Sequence, residues 1–168
     1  MKIERAWAMP CKHTFSIRPI ARLLSEEVGG GMWIDPFAGE SKIATVTNDL
    51  NPEFDTDYNR ESLDFLLDFY GATVDGVLFD PPYSPRQIKE CYEGVGLSVT
   101  GDITRADWWT SRKRVIARIT KVGGKVISFG WNSNGIGKSL GFEKTRILLV
   151  AHGDAHHDTI CVVERKVR

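Results

Sequence analysis

Cysteine is scarce in this 168-residue chain, and an excess of charge of either sign is missing altogether. The three cysteines, Cys11, Cys91 and Cys161, are odd in number and far apart. Neither a disulfide framework nor a zinc-ligand spacing can be assembled from them, which fits a reducing compartment. Lys plus Arg and Asp plus Glu both total 22, so no overall basic excess marks a nucleic-acid binder; such a partner would need the cations gathered on one face. Residues 1–10 are charged and contain no apolar stretch long enough for a signal or membrane helix, so the expectation is a soluble, cytoplasmic protein. Internal repeats, linkers and low-complexity runs are also absent. What remains, 42% hydrophobic and 26% charged residues over one domain's length, suits a single globular domain with a real core.

The most informative stretch reads Val74-Asp75-Gly76-Val77-Leu78-Phe79-Asp80-Pro81-Pro82-Tyr83. Val77-Leu78-Phe79 has the character of a buried parallel strand, and it stops at two prolines that cannot donate ladder hydrogen bonds. In open α/β sheets ligands sit beyond the carboxyl ends of strands. The turn therefore presents an acid, free carbonyl oxygens and an aromatic face where chemistry is expected.

The rest of the chain supports an α/β reading. Ile20, Leu23, Leu24 and Val28 form a helical stripe that ends at Gly29-Gly30-Gly31. Met32-Trp33-Ile34 reads as a central strand, followed by the loop Asp35-Pro36-Phe37-Ala38-Gly39, where Gly39 permits close backbone approach to a ligand. A second strand, Ile43 to Thr47, follows at once, so the usual crossover helix is reduced to about one turn or that strand is misplaced. Asp49 stands after it, where an acid in Rossmann-like folds accepts from ribose hydroxyls; an Asx turn before Pro52 is a compatible alternative. A helix follows Asn59-Arg60-Glu61 and is expected to end at Gly71, with Asp64 placed to close a capping box. Ser84 to Tyr92 suggests a short helix, and residues 93–107 a long loop. Trp108-Trp109 then opens a helix with Val115, Ile116 and Ile119 inward and Arg112, Lys113, Arg114 and Arg118 outward. Gly123-Gly124 turns into a strand over residues 125–130. Trp131-Asn132 sits at its active end, and two final runs, residues 147–151 and 159–163, form a hairpin. The histidines and aspartates of its loop, residues 152–158, are read as turn chemistry in preference to a metal site.

Asp80-Pro81-Pro82-Tyr83 after an apolar strand, with Asp35-Pro36-Phe37-Ala38-Gly39 upstream, resembles the motif pair of the S-adenosylmethionine-dependent amino-methyltransferases of DNA, the small phage-type adenine enzymes among them. The resemblance implies a minimal single domain over residues 1–168, with a Rossmann-like, mostly parallel sheet, a C-terminal antiparallel hairpin and no separate target-recognition domain. It implies S-adenosylmethionine as cofactor, with Phe15, Ser16, Asp35, Phe37 and Gly39 around the methionine end, Asp49 on the ribose and Glu61 receiving the adenine amino group. It makes Asp80, Pro81, Pro82 and Tyr83 catalytic, and Arg86, Trp131 and Asn132 candidate contacts to the acceptor. No metal is needed.

An exocyclic amine is a poor nucleophile because its lone pair is delocalised. The Asp80 carboxylate and Pro81 carbonyl can hold its two protons and free the lone pair, while Tyr83 offers a π-face to an unstacked base. Adenine N6 in double- or single-stranded DNA is the expected acceptor. Cytosine N4, RNA, a protein amide, or the role of a cofactor-binding subunit in a larger assembly stay open, as does target recognition through a homodimer or partner subunit.

Overall fold

The computed structural model describes residues 1–99, 101, 107–153 and 156–168. Its frame is one seven-stranded sheet: β1 (Lys2–Trp7), β2 (Trp33–Asp35), β3 (Val46–Thr47), β4 (Val74–Phe79), β5 (Thr120–Gly130), β6 (Phe142–Ala151) and β7 (Thr159–Lys166). The spatial order is β1-β6-β7-β5-β4-β2-β3. Only β7 runs antiparallel to its neighbours; the other pairings are parallel. The fold is thus the Rossmann-like, mostly parallel sheet with a closing antiparallel hairpin that the sequence implies. From β2 the chain steps outward to β3 and then returns to β4 on the other side. The carboxyl ends of β2 and β4 therefore flank the switch point, where such sheets bind ligands.

Alternation along the central strands supplies two core layers. Leu78 and Ile127 face α1 (Arg18–Glu27), whose Ile20, Leu23 and Leu24 are fully buried. Val77, Phe79 and Val126 face α2 (Ser62–Leu67) and α4 (Asp107–Ile119). The α1 helix starts with Pro19 in its first turn and stops before three glycines, as its punctuation requires. Between β4 and α4 lies α3 (Pro85–Gly94), N-capped by Ser84, whose hydroxyl accepts from Gln87 N at 3.2 Å.

Several expectations need correction. The strand expected over residues 43–47 is only Val46–Thr47, and residues 36–45 cross in parallel from β2 with no helix at all. Asn48 substitutes for that helix. Its buried amide donates to the carbonyls of Pro36 and Arg60 and accepts from Arg60 N, while its backbone bonds Asp35 and Ala38. The α2 helix ends at Leu67, well short of Gly71, and no capping box forms: the N-cap Glu61 accepts from Leu63 N, and among the described residues Asp64 makes no return bond to the cap. The strand expected from Lys125 begins at Thr120, directly after α4, and passes through the Gly123-Gly124 pair as an irregularity in its pairing with β4. The edge strand β1 and the first half of β6 carry no clean alternation and went unread. Arg112, assigned to the outer face of α4, is buried. Of the loop read over residues 93–107, residues 100 and 102–106 lie outside the described residues, and residue 94 ends α3. The hairpin loop is likewise described apart from residues 154 and 155.

Candidate active site

Three cavities open along the carboxyl edge of the sheet. The first, about 540 Å³, is walled by Phe37, Leu50, Tyr92 and Trp108 and edged by Asp49 and Glu61. The second, about 630 Å³, runs along Phe15, Ser16 and the loop from Phe37 to Ile43. Both are bordered by Thr14, Phe37 and Asp80, so Asp80 stands where they meet. The third, about 260 Å³, lies on the other side of the Asp80–Tyr83 turn among Tyr83, Trp109, Phe129, Trp131 and Asn132.

The turn itself is pinned at several points. The Tyr83 hydroxyl donates to Asp80 Oδ1, and Thr14 borders both larger cavities beside Asp80. Tyr83 N donates to Gln87 Oε1 at 2.6 Å, and Trp109 Nε1 donates to the Pro82 carbonyl at 2.9 Å. Among the described residues the Pro81 carbonyl accepts no hydrogen bond, and Pro81 lines both the first and the third cavity. Burial pushes the Asp80 carboxyl up, against the opposing pull of the Tyr83 and Thr14 hydroxyls. Burial, and then the adjacent Asp80, pushes the Tyr83 phenol up far enough to keep it a neutral donor.

Asp49 sits at the end of β3, its Oδ2 accepting from Gly39 N at 2.9 Å and its Oδ1 from Asn51 N at 2.9 Å. The carboxylate makes an Asx-type turn and also edges the first cavity. Gly39 itself has φ +53°, a left-handed conformation that suits glycine, with open space where a Cβ would be. Asp35 does not line a cavity. It lies fully buried beneath the loop, Oδ1 accepting from Phe37 N at 2.9 Å and Oδ2 without a partner. Burial, then the nearby Asp80 and Asp49, drive its carboxyl well above the usual range.

Glu61 edges the first cavity and is held by several donors. Leu63 N, the Ser62 and Tyr92 hydroxyls and the Arg112 guanidinium all donate to its carboxylate. Three of these donors converge on Oε1 and only Leu63 N on Oε2, so Oε2 keeps lone-pair capacity for a further donor. The Arg112 charge and these bonds outweigh burial and hold Glu61 below the ordinary carboxylate range. Arg112 also lies over the Trp108 ring, 3.6 Å from its centroid, and donates to Ser62 Oγ at 2.7 Å. No local pattern announces this cluster, because Arg112 and Glu61 are 51 residues apart.

Of the other expected residues, Phe15 packs on Phe129 with ring centroids 4.9 Å apart, Ser16 Oγ donates to His13 O, and Phe37 touches both Phe79 and Trp108. Trp131 meets Tyr83 edge to face at 5.6 Å and His157 at 4.4 Å. Arg86 is not brought to the site: it is exposed on α3, paired with Glu90 at 2.8 Å. Thr14, Leu50, Gln87 and Tyr92 complete the walls and were not singled out by sequence, while Trp108 and Trp109 join them from the start of α4. The Trp108-Trp109 pair before an amphipathic helix was the nearest available signal. Among the described residues no group of three or more His, Cys, Asp or Glu could hold a metal, and no helix is long and apolar enough to cross a membrane.

No protein-family model matches the chain, and no curated protein matches it in sequence. Solved structures do. A 1,6-didemethyltoxoflavin-N1-methyltransferase from Burkholderia thailandensis, crystallised with 1,6-didemethyltoxoflavin and S-adenosylhomocysteine, aligns at TM-score 0.62 and 13% identity over 90% of this chain and 78% of its own. A SAM-dependent methyltransferase from Archaeoglobus fulgidus aligns at 0.58 and 10% identity, covering 89% and 92%. TrmN from Thermus thermophilus aligns at 0.58 and 17% identity over 90% of this chain but 49% of its own length. At such identities the likeness is one of architecture, and it establishes that this chain has the fold of S-adenosylmethionine-dependent methyltransferases.

Proposed function

We propose that this protein transfers a methyl group from S-adenosylmethionine to the exocyclic amino group of a DNA base, with adenine N6 as acceptor. The observation that carries the reading is the position of Asp80, at the junction of the two larger cavities and next to an unoccupied Pro81 carbonyl. A carboxylate and a carbonyl in sequence form the two-acceptor grip that an amino group with two protons requires.

The residues present suit the cofactor. Apolar walls of Phe37, Leu50, Tyr92 and Trp108 in the first cavity fit an adenine ring, with the Asp49 carboxylate at its edge for ribose hydroxyls. The second cavity, past Phe15, Ser16 and Gly39, fits the amino-acid end, and the buried acids Asp35, Asp49 and Asp80 favour a cation nearby. When bound, the cofactor supplies an electrophilic methyl group. Asp80 and Pro81 then orient the amine, and Asp80 offsets the positive charge that develops on its nitrogen. The amine must take the place on Asp80 now filled by the Tyr83 hydroxyl, which leaves the Tyr83 ring to face the base. Arg112 holds Glu61 by Oε1 at the edge of the first cavity, and Oε2 is the acceptor for the adenine amino group.

A second reading, methylation of a free heteroaromatic amine, is favoured by the balance of 22 cationic and 22 anionic residues, which marks no polyanionic partner. The test is transfer from radiolabelled S-adenosylmethionine to unmethylated double-stranded DNA, single-stranded DNA and bulk RNA, with nucleoside analysis. The expected product is N6-methyladenine in DNA. Methylated RNA or N4-methylcytosine would move the acceptor, and no transfer by a protein that binds S-adenosylhomocysteine would overturn the reading.

A further inference from the structure

We propose that Trp109 is a positioning residue: its indole N–H fixes the catalytic turn, and with it the direction of the two acceptors that grip the amine. The argument starts from the two prolines. Pro81 and Pro82 have no N–H, and their rings lock φ near −65°, so the turn's remaining freedom lies mostly in its ψ angles. A turn whose two prolines supply no donors has few backbone bonds of its own and is held from outside. The peptide plane between Pro82 and Tyr83 is held at both ends, its carbonyl by Trp109 Nε1 at 2.9 Å and its N–H by Gln87 Oε1 at 2.6 Å. With that plane clamped, the torsions left between it and Asp80 are few. The Pro81 carbonyl and the Tyr83 ring are thereby aimed.

Trp109 also stands next to a residue that belongs to the other cavity. Trp108 borders the first cavity, bonds the Tyr92 hydroxyl at 3.4 Å and carries Arg112 on its face. Trp109 borders the third. The first turn of α4 therefore references the acceptor side of the turn to the wall of the cofactor cavity, and the Arg112–Glu61 pair anchors that turn to α2. A displacement of about 1 Å in such a turn costs a reaction on the order of a hundredfold, so a single indole bond is enough to matter.

The test compares Trp109→Phe, which keeps an aromatic wall and removes the N–H, with Gln87→Leu and the conservative Gln87→Glu. Amide exchange at Tyr83, read by NMR against the β4 amides of Val77 and Leu78, should rise by about tenfold or more in Trp109→Phe and Gln87→Leu and return toward wild type in Gln87→Glu. The β4 amides should not move. This arm needs no acceptor and stands even if the methyl-transfer reading fails. The second arm rests on that reading: kcat on unmethylated DNA should fall about tenfold or more in Trp109→Phe, with the acceptor KM and the S-adenosylhomocysteine Kd within about threefold. Unchanged exchange at Tyr83 in a folded Trp109→Phe protein would overturn the clamp. Unchanged kcat with raised exchange would overturn its role in positioning, and a rise in KM alone would assign Trp109 to binding.

Discussion

At the scale of single residues the site is a contest between burial and charge. Asp80 must be ionised to hold amine protons, yet burial raises its carboxyl pKa. The raised value sets the acid limb of activity: kcat/KM should fall as pH drops through it, at a pH above the ordinary carboxylate range near 3.9. A pH–rate profile checks this, and an acid limb below that range would contradict it. Asp80→Ala should abolish transfer while cofactor affinity stays within about tenfold, since the lost contacts are to the acceptor. Calorimetry with S-adenosylhomocysteine supplies the second half of that comparison. Arg112 presents the opposite case, a buried cation fully matched by Glu61, Ser62 and Trp108. Arg112→Met would leave the partly buried Glu61 carboxylate unpaired, at a cost of about 3–5 kcal/mol. Urea denaturation should show that loss, and a variant as stable as wild type would show the pair to be replaceable.

At the scale of elements, β2 and β4 are fitted by one glycine. Gly76 pairs with Trp33, and a Cβ at Gly76 would fall 2.4 Å from the indole ring. Glycine inside a strand marks such a close approach. Gly76→Ala would force Trp33 out of its place in the core above α1, costing about 1–3 kcal/mol and lowering Tm by about 2–10 °C. Differential scanning calorimetry decides, and an unchanged Tm would mean the ring relocates without strain. The neighbouring crossover shows how an element can be dispensed with. Residues 36–45 carry the cofactor loop with no helix behind it, because the Asn48 amide ties together Pro36 and Arg60. The loop Trp131 to Leu140 is held in the same manner: the buried Glu164 carboxylate accepts from Ile136 N and from Gly137 N at 3.1 Å.

For the whole molecule, the three acids at the ends of β2, β3 and β4 link stability to pH and to the ligand. Burial raises Asp35, Asp49 and Asp80 above their unfolded values, so the folded chain binds their protons more tightly. The stability they contribute is full at acidic pH, below the unfolded value, and is lost as pH rises through the raised values. Asp35→Asn, which removes the one with an unpartnered oxygen, should therefore gain in Tm relative to wild type as pH increases from about 4 to 8; a constant difference would refute this. A bound cation-bearing cofactor should stabilise the fold by about 2.7 kcal/mol at a hundred times its Kd, a Tm rise of about 5–10 °C, and no rise with S-adenosylmethionine would contradict the cofactor assignment. Much of this was legible beforehand. The strand stopping at Asp80-Pro81-Pro82-Tyr83, the α1 stripe and the final hairpin are written in local periodicity and in proline and glycine punctuation, which act over a few residues. By itself the sequence thus determined the α/β order of elements and the chemistry placed at the end of β4. Only the tertiary structure decided that Glu61 pairs with Arg112, that Asn48 stands in for a helix, that Arg86 pairs with Glu90 on the exposed side of α3 and that Trp109 bonds the Pro82 carbonyl. Apart from the Arg86 pairing, each of these depends on which partners burial brings together across tens of residues, and no local pattern records that.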